Sequence, residues 1–279
     1  MATPAFSKRH TSTAVVYVML TAAALLILVP FLLSFLTSFK TARQFAGTAP
    51  TSLPSPPSTE SYSQLLGSGS FGRAILVTVA VAATIVIAQV TFSIMAAYAF
   101  ARLHFPGRDV LFWVYLSTMM VPAIVTLIPL YAIFSQTGLR NTFWSLVLPT
   151  MFGSPYAIFL LRQHFLRIPE DLLAAARLDG AGHLRTLWHI VIPVSRPIIA
   201  TLVVITVVTH WNNFLWPLII TSGERWQVIT VATANLQSQY NGNWTLVMAA
   251  TTVAIVPLVA LFIAFHKHIV DSLAIRGFN

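Results

Sequence analysis

Residues 161–197, LRQHFLRIPEDLLAAARLDGAGHLRTLWHIVIPVSRP, decide how the rest of the chain is read. The stretch is too polar to lie in lipid, yet long apolar segments flank it on both sides. Arg162, Arg167, Arg177, Arg185 and Arg196 assign it to the cytoplasmic side by the Lys/Arg bias of membrane-protein loops. Pro169 suits a first helical position, and Glu170 and Asp171 follow in the first turn, where the helix dipole favours anions. Gly180-Ala181-Gly182 breaks that helix. Beyond the break, Leu184, Leu187, Trp188 and Val191 recur at i, i+3, i+4 and i+7, one apolar stripe of a second short helix. Pro193 and Pro197 end it. A compact helix-turn-helix on the inner face of a membrane, apolar on one side, is suited to docking another protein.

Composition agrees with a membrane setting. Of 279 residues, 57% are hydrophobic and 8% charged, against about 25% charged in soluble domains. Apolar runs near 20 residues are long enough to cross about 30 Å of hydrocarbon as helices, whereas a barrel would show short alternating strands. The formal charge of +9 is spread over loop ends, so it reports topology and gives no sign of nucleic-acid binding. With no cysteine, disulfides, thiol catalysis and Cys-ligated metal are excluded, and no metal-ligand spacing is present.

The expected architecture is an all-α membrane protein with six transmembrane helices and both termini cytoplasmic. Residues 1–13 form a polar tail carrying Lys8 and Arg9, and residues 14–266 a single transmembrane domain. The spans fall at about 14–39, 74–99, 110–136, 142–161, 198–220 and 245–265, with the docking loop 162–197 between the fourth and fifth and a second tail at 267–279. The first run exceeds the apolar core of a signal peptide, so it reads as a retained helix, bent near Pro30. Residues 40–72 are a Pro/Ser/Thr/Gly-rich outer connection, in which GSGSFG matches a dinucleotide-loop pattern only formally, lacking the strand and acidic residue that pattern requires. Residues 221–244 read as a second outer loop. The charge bias supports this threading: Lys8, Arg9, Arg102, Arg108, the five loop arginines, Lys267 and Arg276 fall inside, and Lys40, Arg43, Arg73, Arg140 and Arg225 outside.

AAARLDGAG followed by IVIP resembles the cytoplasmic E-A-A-x-x-x-G signature, with I-x-L-P downstream, of the membrane subunits of binding-protein-dependent ABC importers. The longer IPEDLLAAARLDGA, with AAYAFAR and RLHFPGRD before it and WNNFLWPL after, is similar to the carbohydrate-importer branch of maltose and glycerol-phosphate permeases. The resemblance implies that the loop is a coupling helix seated in a groove of an ATPase subunit. It places Ala175 and Ala176 on the signature alanines, Asp179, Gly180 and Ala181 on D-G-A, Gly182 just after, and Pro193 on the closing proline. Ala174 stands where the family has its glutamate, so Glu170, Asp171 and Arg177 are the candidates to replace an ion pair with the ATPase. The implied partners are a second permease subunit, a pair of ABC ATPases carrying ATP and Mg, and an external solute-binding protein that delivers a sugar-like solute across a prokaryotic cytoplasmic membrane.

The residues themselves lead to the same partner by elimination. No predicted span has a central Asp, Glu, Lys or Arg, groups that ion-coupled carriers keep at mid-depth. No G-x-x-x-x-G-K-[ST] phosphate loop occurs either, so uphill transport needs energy from a partner, and this chain is expected to bind no cofactor or metal and to catalyse no bond change. A self-sufficient carrier and an integral membrane enzyme are the alternatives. His210, Trp211, Asn212 and Asn213, with Trp216 beyond, form the most polar patch in a span: either a wall of the solute path, where amides bond hydroxyls and an indole stacks on a sugar, or ordinary helix-helix hydrogen bonding. Asn235, Gln237, Gln239, Tyr240 and Asn243 in the second outer loop are candidates for contact with the solute-binding protein, or a solvated connection.

Overall fold

A computed structural model describes residues 7–239 and 243–274. Among them the chain is helical throughout, without strands. It runs through α1 (Ser7–Ser38), α2 (Ala42–Gly47), α3 (Glu60–Gly67), α4 (Ser70–Arg102), α5 (Arg108–Ser117), α6 (Ala123–Gln136), α7 (Phe143–Val147), α8 (Pro155–Phe165) and α9 (Glu170–Leu178). It continues with α10 (His183–Thr186), α11 (Ile192–Val194), α12 (Arg196–Trp211), α13 (Leu215–Ile220), α14 (Ile229–Gln239) and α15 (Trp244–Ala274). Contacts divide it into two units, one running to Gly69 and including Thr233–Ile255, the other comprising Ser70–Ala232 and the segment from Val256.

Three helices are long and apolar enough to cross a membrane singly: Val15–Ser38 of α1, α4, and Trp244–His266 of α15. At about 1.5 Å per residue, each exceeds the ~30 Å hydrocarbon thickness. Two bent pairs pass the same test when each is taken together, α5 with α6 at 97° and the α10–α11 segment with α12 at 83°, which makes up to five candidate spans among the described residues. The predicted third span therefore breaks in its middle. Pro122 lacks a backbone N–H and holds the preceding Val121 in extended conformation, so the helix stops after a 3-10 turn at Thr118–Met120 and restarts at Ala123. The predicted fourth span is likewise two short helices, α7 and α8, with an irregular stretch at 148–154.

Irregular backbone at membrane depth must be satisfied by protein, and here α4 and α5 supply the partners. Gln89 Nε2 donates to Thr150 O at 2.9 Å, Ser154 N donates to Ser93 Oγ at 3.1 Å, and the Tyr115 hydroxyl donates to Gly153 O. Gly153 is required here by space: a Cβ would lie 3.1 Å from Ile158 Cδ1 and 3.3 Å from the Ser93 nitrogen. Beneath these stitches one core joins Ile94, Ala97 and Ala101 of α4 to Ile158 and Leu161 of α8 and Leu173 of α9. A second cluster joins Val77, Val81 and Ile85 of α4 to Phe134, Leu146, Ile220 and Val231. Helix α4 is thus the post against which the second unit packs.

In the first unit, α1 ends in a buried polar knot. Lys40 is 1% exposed and its ammonium donates to Ala49 O, Pro50 O and Ser52 Oγ at 3.2, 3.4 and 3.0 Å. The connection 40–72, expected to be extended or turn, therefore folds onto a lysine and carries the helices α2 and α3. Likewise the segment 221–244 holds a helix, α14, where the sequence read as a loop. Its start is fixed by burial of Ile229 and Val231 and by Ile229 N donating to Thr78 Oγ1 at 2.8 Å.

Candidate docking site

The loop 162–197 packs α9 against the C-terminal end of α4. Pro169 lies one residue before the helix, and Glu170 and Asp171 open its first turn. The helix ends in a Schellman motif: Ala181 N donates to Ala176 O at 2.9 Å and Gly180 N to Arg177 O at 3.0 Å. Gly180 has φ +76 with nothing within 4 Å of a Cβ, so the glycine answers a backbone requirement and not a spatial one. Leu173 and Ala176 turn inward and are buried, and Ala174 is half-buried. Asp171, Leu172, Ala175, Leu178 and Asp179 face outward. Leu178 is 90% exposed.

Glu170 and Arg177 are drawn into the chain itself. Arg102, on the last residue of α4, donates through Nη1 to Glu170 Oε2 at 2.9 Å, and Arg177 Nη2 donates to Glu170 Oε1 at 2.9 Å. Arg102 Nη2 also donates to the carbonyls of Phe165 and Ile168, capping the orphaned end of α8. Arg102 is 12% exposed, whereas Glu170 is half-exposed. Nearby, Arg162 stacks over the Phe112 ring at 4.2 Å, donates to Phe100 O at 3.3 Å and pairs with Asp109 at 3.5 Å. Of the three candidates to replace the family glutamate, only Asp171 remains outward with no ion pair among the described residues. The structure brings in Arg102, which sequence reading used only for topology. Its signal was a cation attached directly to the end of a long apolar helix.

After Gly182 the chain forms α10, a π turn at Leu187–Val191 and α11. The widened turn directly precedes Pro193, whose ring would otherwise crowd the carbonyl four residues earlier. The apolar stripe straddles a boundary: Leu187 and Val191 are buried, while Leu184 and Trp188 stand exposed. His164, at the end of α8, is held below its ordinary pKa by burial and by the charge of Arg167, and its Nε2 is buried without a partner.

The other candidates are placed differently. At the end of α12, His210 Nδ1 donates to Thr206 O at 2.9 Å and the exposed Asn212 donates to Val208 O at 2.8 Å, each within its own helix. Trp211 is buried, and the Asn213 carbonyl accepts from the Thr230 hydroxyl at 2.7 Å. Trp216 Nε1 donates to Ser145 O at 2.8 Å, a structural bond within the second unit. Asn235 and Gln237 lie on α14, half-buried and exposed respectively, and Gln239 is its last residue. Asn243 Oδ1 caps α15, accepting from Thr245 Oγ1 at 2.9 Å and Leu246 N at 3.3 Å. Tyr240 lies outside the described residues.

A helical protein with several apolar helices long enough to cross a membrane, and an amphipathic helix resting on the end of the longest of them, is a membrane component. The model of the binding-protein-dependent transport system inner membrane component matches residues 89–275, and the chain belongs to that family. Among curated relatives, the sn-glycerol-3-phosphate transport system permease protein UgpE of Yersinia pestis is 33% identical over 92% of this chain and 94% of its own. The arabinooligosaccharides transport system permease protein AraQ of Bacillus subtilis is 32% identical over 67% of this chain and 66% of its own. Among solved structures, a chain of a bacterial ABC transporter involved in the import of the acidic polysaccharide alginate superposes with TM-score 0.85 at 23% identity, over 95% of this chain and 99% of that one. That likeness concerns the fold.

Proposed function

We propose that this chain is one of two permease subunits of an ATP-driven importer for a sugar or sugar derivative in a prokaryotic cytoplasmic membrane. It forms half of the solute path and seats an ABC ATPase on α9. The observation that carries the reading is the outward face of α9, where Leu178 stands 90% exposed between Asp171 and Asp179 on a helix whose inner face is clamped to α4. An isolated leucine held out on a rigid cytoplasmic helix gains roughly 1.5–3 kcal/mol when a partner buries it. The UgpE and AraQ relatives are named for glycerol phosphate and arabino-oligosaccharides, which supports a carbohydrate-derived solute. A second structural neighbour is described in complex with an alginate pentasaccharide-bound periplasmic protein, which supports an external binding protein as partner.

In this reading six membrane segments thread the chain with both ends inside, as the charge bias favours. ATP and Mg bind the ATPase pair. Closure of that pair on ATP moves α9 as a rigid lever, and α4 with it, biasing a two-state equilibrium between inward- and outward-open cavities. The test is co-purification of the ATPase with wild type and Leu178→Asp, read together with ATP-dependent uptake in liposomes. Loss of both in the variant, with the second permease retained, supports the reading. Uptake by the isolated chain without ATP would sink it.

A further inference from the structure

Two adjoining cavities lie between the end of α4 and the α9–α10 turn, sharing Arg102, Arg177 and His183 in their walls. The inner one has a volume of about 200 Å³ and adds Tyr98, Leu173 and Thr186. The outer one, about 700 Å³, opens beside His104 and Glu170. Their lining is rich in donors and short of acceptors. Arg102 Nε is buried with no hydrogen-bond partner among the described residues, and the Tyr98 hydroxyl, in the wall of the inner cavity, makes no hydrogen bond among them. Thr186 Oγ1 is already spent on Gly182 O at 3.1 Å. Glu170 accepts one bond from each arginine and neutralises one of the two guanidinium charges. One positive charge, the Tyr98 hydroxyl and the His183 ring are left facing the space. Buried donors ordinarily have acceptors, and a lining whose donors, the buried Arg102 Nε among them, outnumber its one carboxylate is suited to a further oxyanion.

We propose that this cleft receives the carboxylate of an Asp or Glu side chain from the ATPase subunit, beside the apolar seat offered by Leu178. The inference rests on the docking reading above. The wall of the cleft includes Arg177, Ala181 and Gly182, at the end of α9 and just beyond it, so a protein seated on the outward face of that helix lies within reach of it. The inner volume suits a carboxylate and its short stem. The ion pair between the two proteins thus runs from an acidic ATPase residue to an arginine-rich permease pocket, the inverse of a permease glutamate at position 174.

The test uses the full permease pair in nanodiscs and measures ATPase-subunit affinity for wild type, Tyr98→Phe, Arg177→Glu and Leu178→Asp. Tyr98→Phe removes one donor and leaves the Glu170 pairing intact, so it reports on the cleft without unfolding the loop. Losing a hydrogen bond to a charged acceptor is expected to lower the affinity about 10-fold or more. Arg177→Glu is expected to fall at least as far, and one Asp→Arg or Glu→Arg change among the ATPase's groove residues should restore it to within a few-fold of wild type. Wild-type affinity in both cleft variants, with binding lost in Leu178→Asp, overturns the cleft and leaves the docking reading standing. Loss in Arg177→Glu that no reversal rescues, accompanied by loss of co-purified phospholipid phosphate, overturns it in favour of an anionic headgroup. If wild type itself takes no ATPase, the docking reading fails and this inference with it.

Discussion

Arg102 holds the docking loop chiefly through carbonyls and only secondarily through its ion pair, and Arg102→Met tests this. Methionine keeps the apolar stem and deletes the guanidinium. The Ile168 carbonyl loses its side-chain donor, and the Phe165 carbonyl keeps only the Ile168 N–H at 3.2 Å, in a region where both residues are buried. Leaving a buried acceptor unsatisfied costs roughly 1–3 kcal/mol, and losing one of two bonds to a carbonyl about 0.5–1.5 kcal/mol. The Glu170 pair adds less, because that carboxylate is half-exposed and exposed pairs are worth about 0.2–1 kcal/mol. The expected loss is therefore about 2–5 kcal/mol, localised to the α8–α9 junction. Amide hydrogen exchange of residues 166–180 reads it directly, since each 1.4 kcal/mol of lowered opening energy is about a tenfold faster exchange. Arg102→Met should accelerate exchange there by about 30-fold or more, and Glu170→Gln by less than about tenfold. Equal effects of the two variants would refute the carbonyl-capping argument, and unchanged exchange in both would refute any role for Arg102 in holding the loop.

Three further outcomes are expected. Gly180→Ala meets φ +76 and should cost about 1–2 kcal/mol of α9 stability, whereas Gly182→Ala, with no positive φ and open space around it, should be near neutral; exchange at 175–181 separates them. Gly153→Ala puts a methyl 3.1 Å from Ile158 Cδ1 and 3.3 Å from the Ser93 backbone, so the melting temperature in detergent should drop by the equivalent of about 1–3 kcal/mol of overpacking, partly recovered by Ile158→Val. Because His164 is held below its ordinary pKa by burial and Arg167, the unfolded chain takes up a proton at higher pH than the fold does. Stability should therefore fall as pH drops below about 6.5 toward the depressed value, and His164→Gln should flatten that slope in a melting-temperature series.

Where a property depends on neighbours in sequence, it was legible. The apolar runs of α1, α4 and α15 exceed any alternative to a span, and the Pro169 start and Gly180 stop of α9 are local signals that the structure repeats almost residue for residue. What escaped depends on distant parts. Pro122 announces a break but not a 97° bend. The Thr/Asn/Gln-rich segment 229–239 reads as loop because its helicity rests on burial of Ile229 and Val231 and on a hydroxyl 151 residues away. The partner of Glu170 lies 68 residues earlier, beyond any pattern visible in one sequence.

Ala174 shows how the two scales meet. Glu170, Ala174 and Arg177 fall at i, i+4 and i+7, one above another on the same helix face. Over seven residues the axis rises about 10.5 Å, so Arg177 reaches Glu170 at 2.9 Å only by lying across the intervening position. Alanine leaves that path open. A glutamate there would stand three residues from Arg177, a closer partner than Glu170, and would draw the guanidinium away from the clamp. The absence of the family glutamate and the presence of the Arg102–Glu170–Arg177 relay are therefore one feature. With Glu170 committed inward, the outward face is left to Leu172, Leu178 and the two aspartates, and the surplus positive charge to the cleft behind them. The same nine-residue helix thus has a side that holds α4 and a side free for a partner, which is what a lever between two proteins requires.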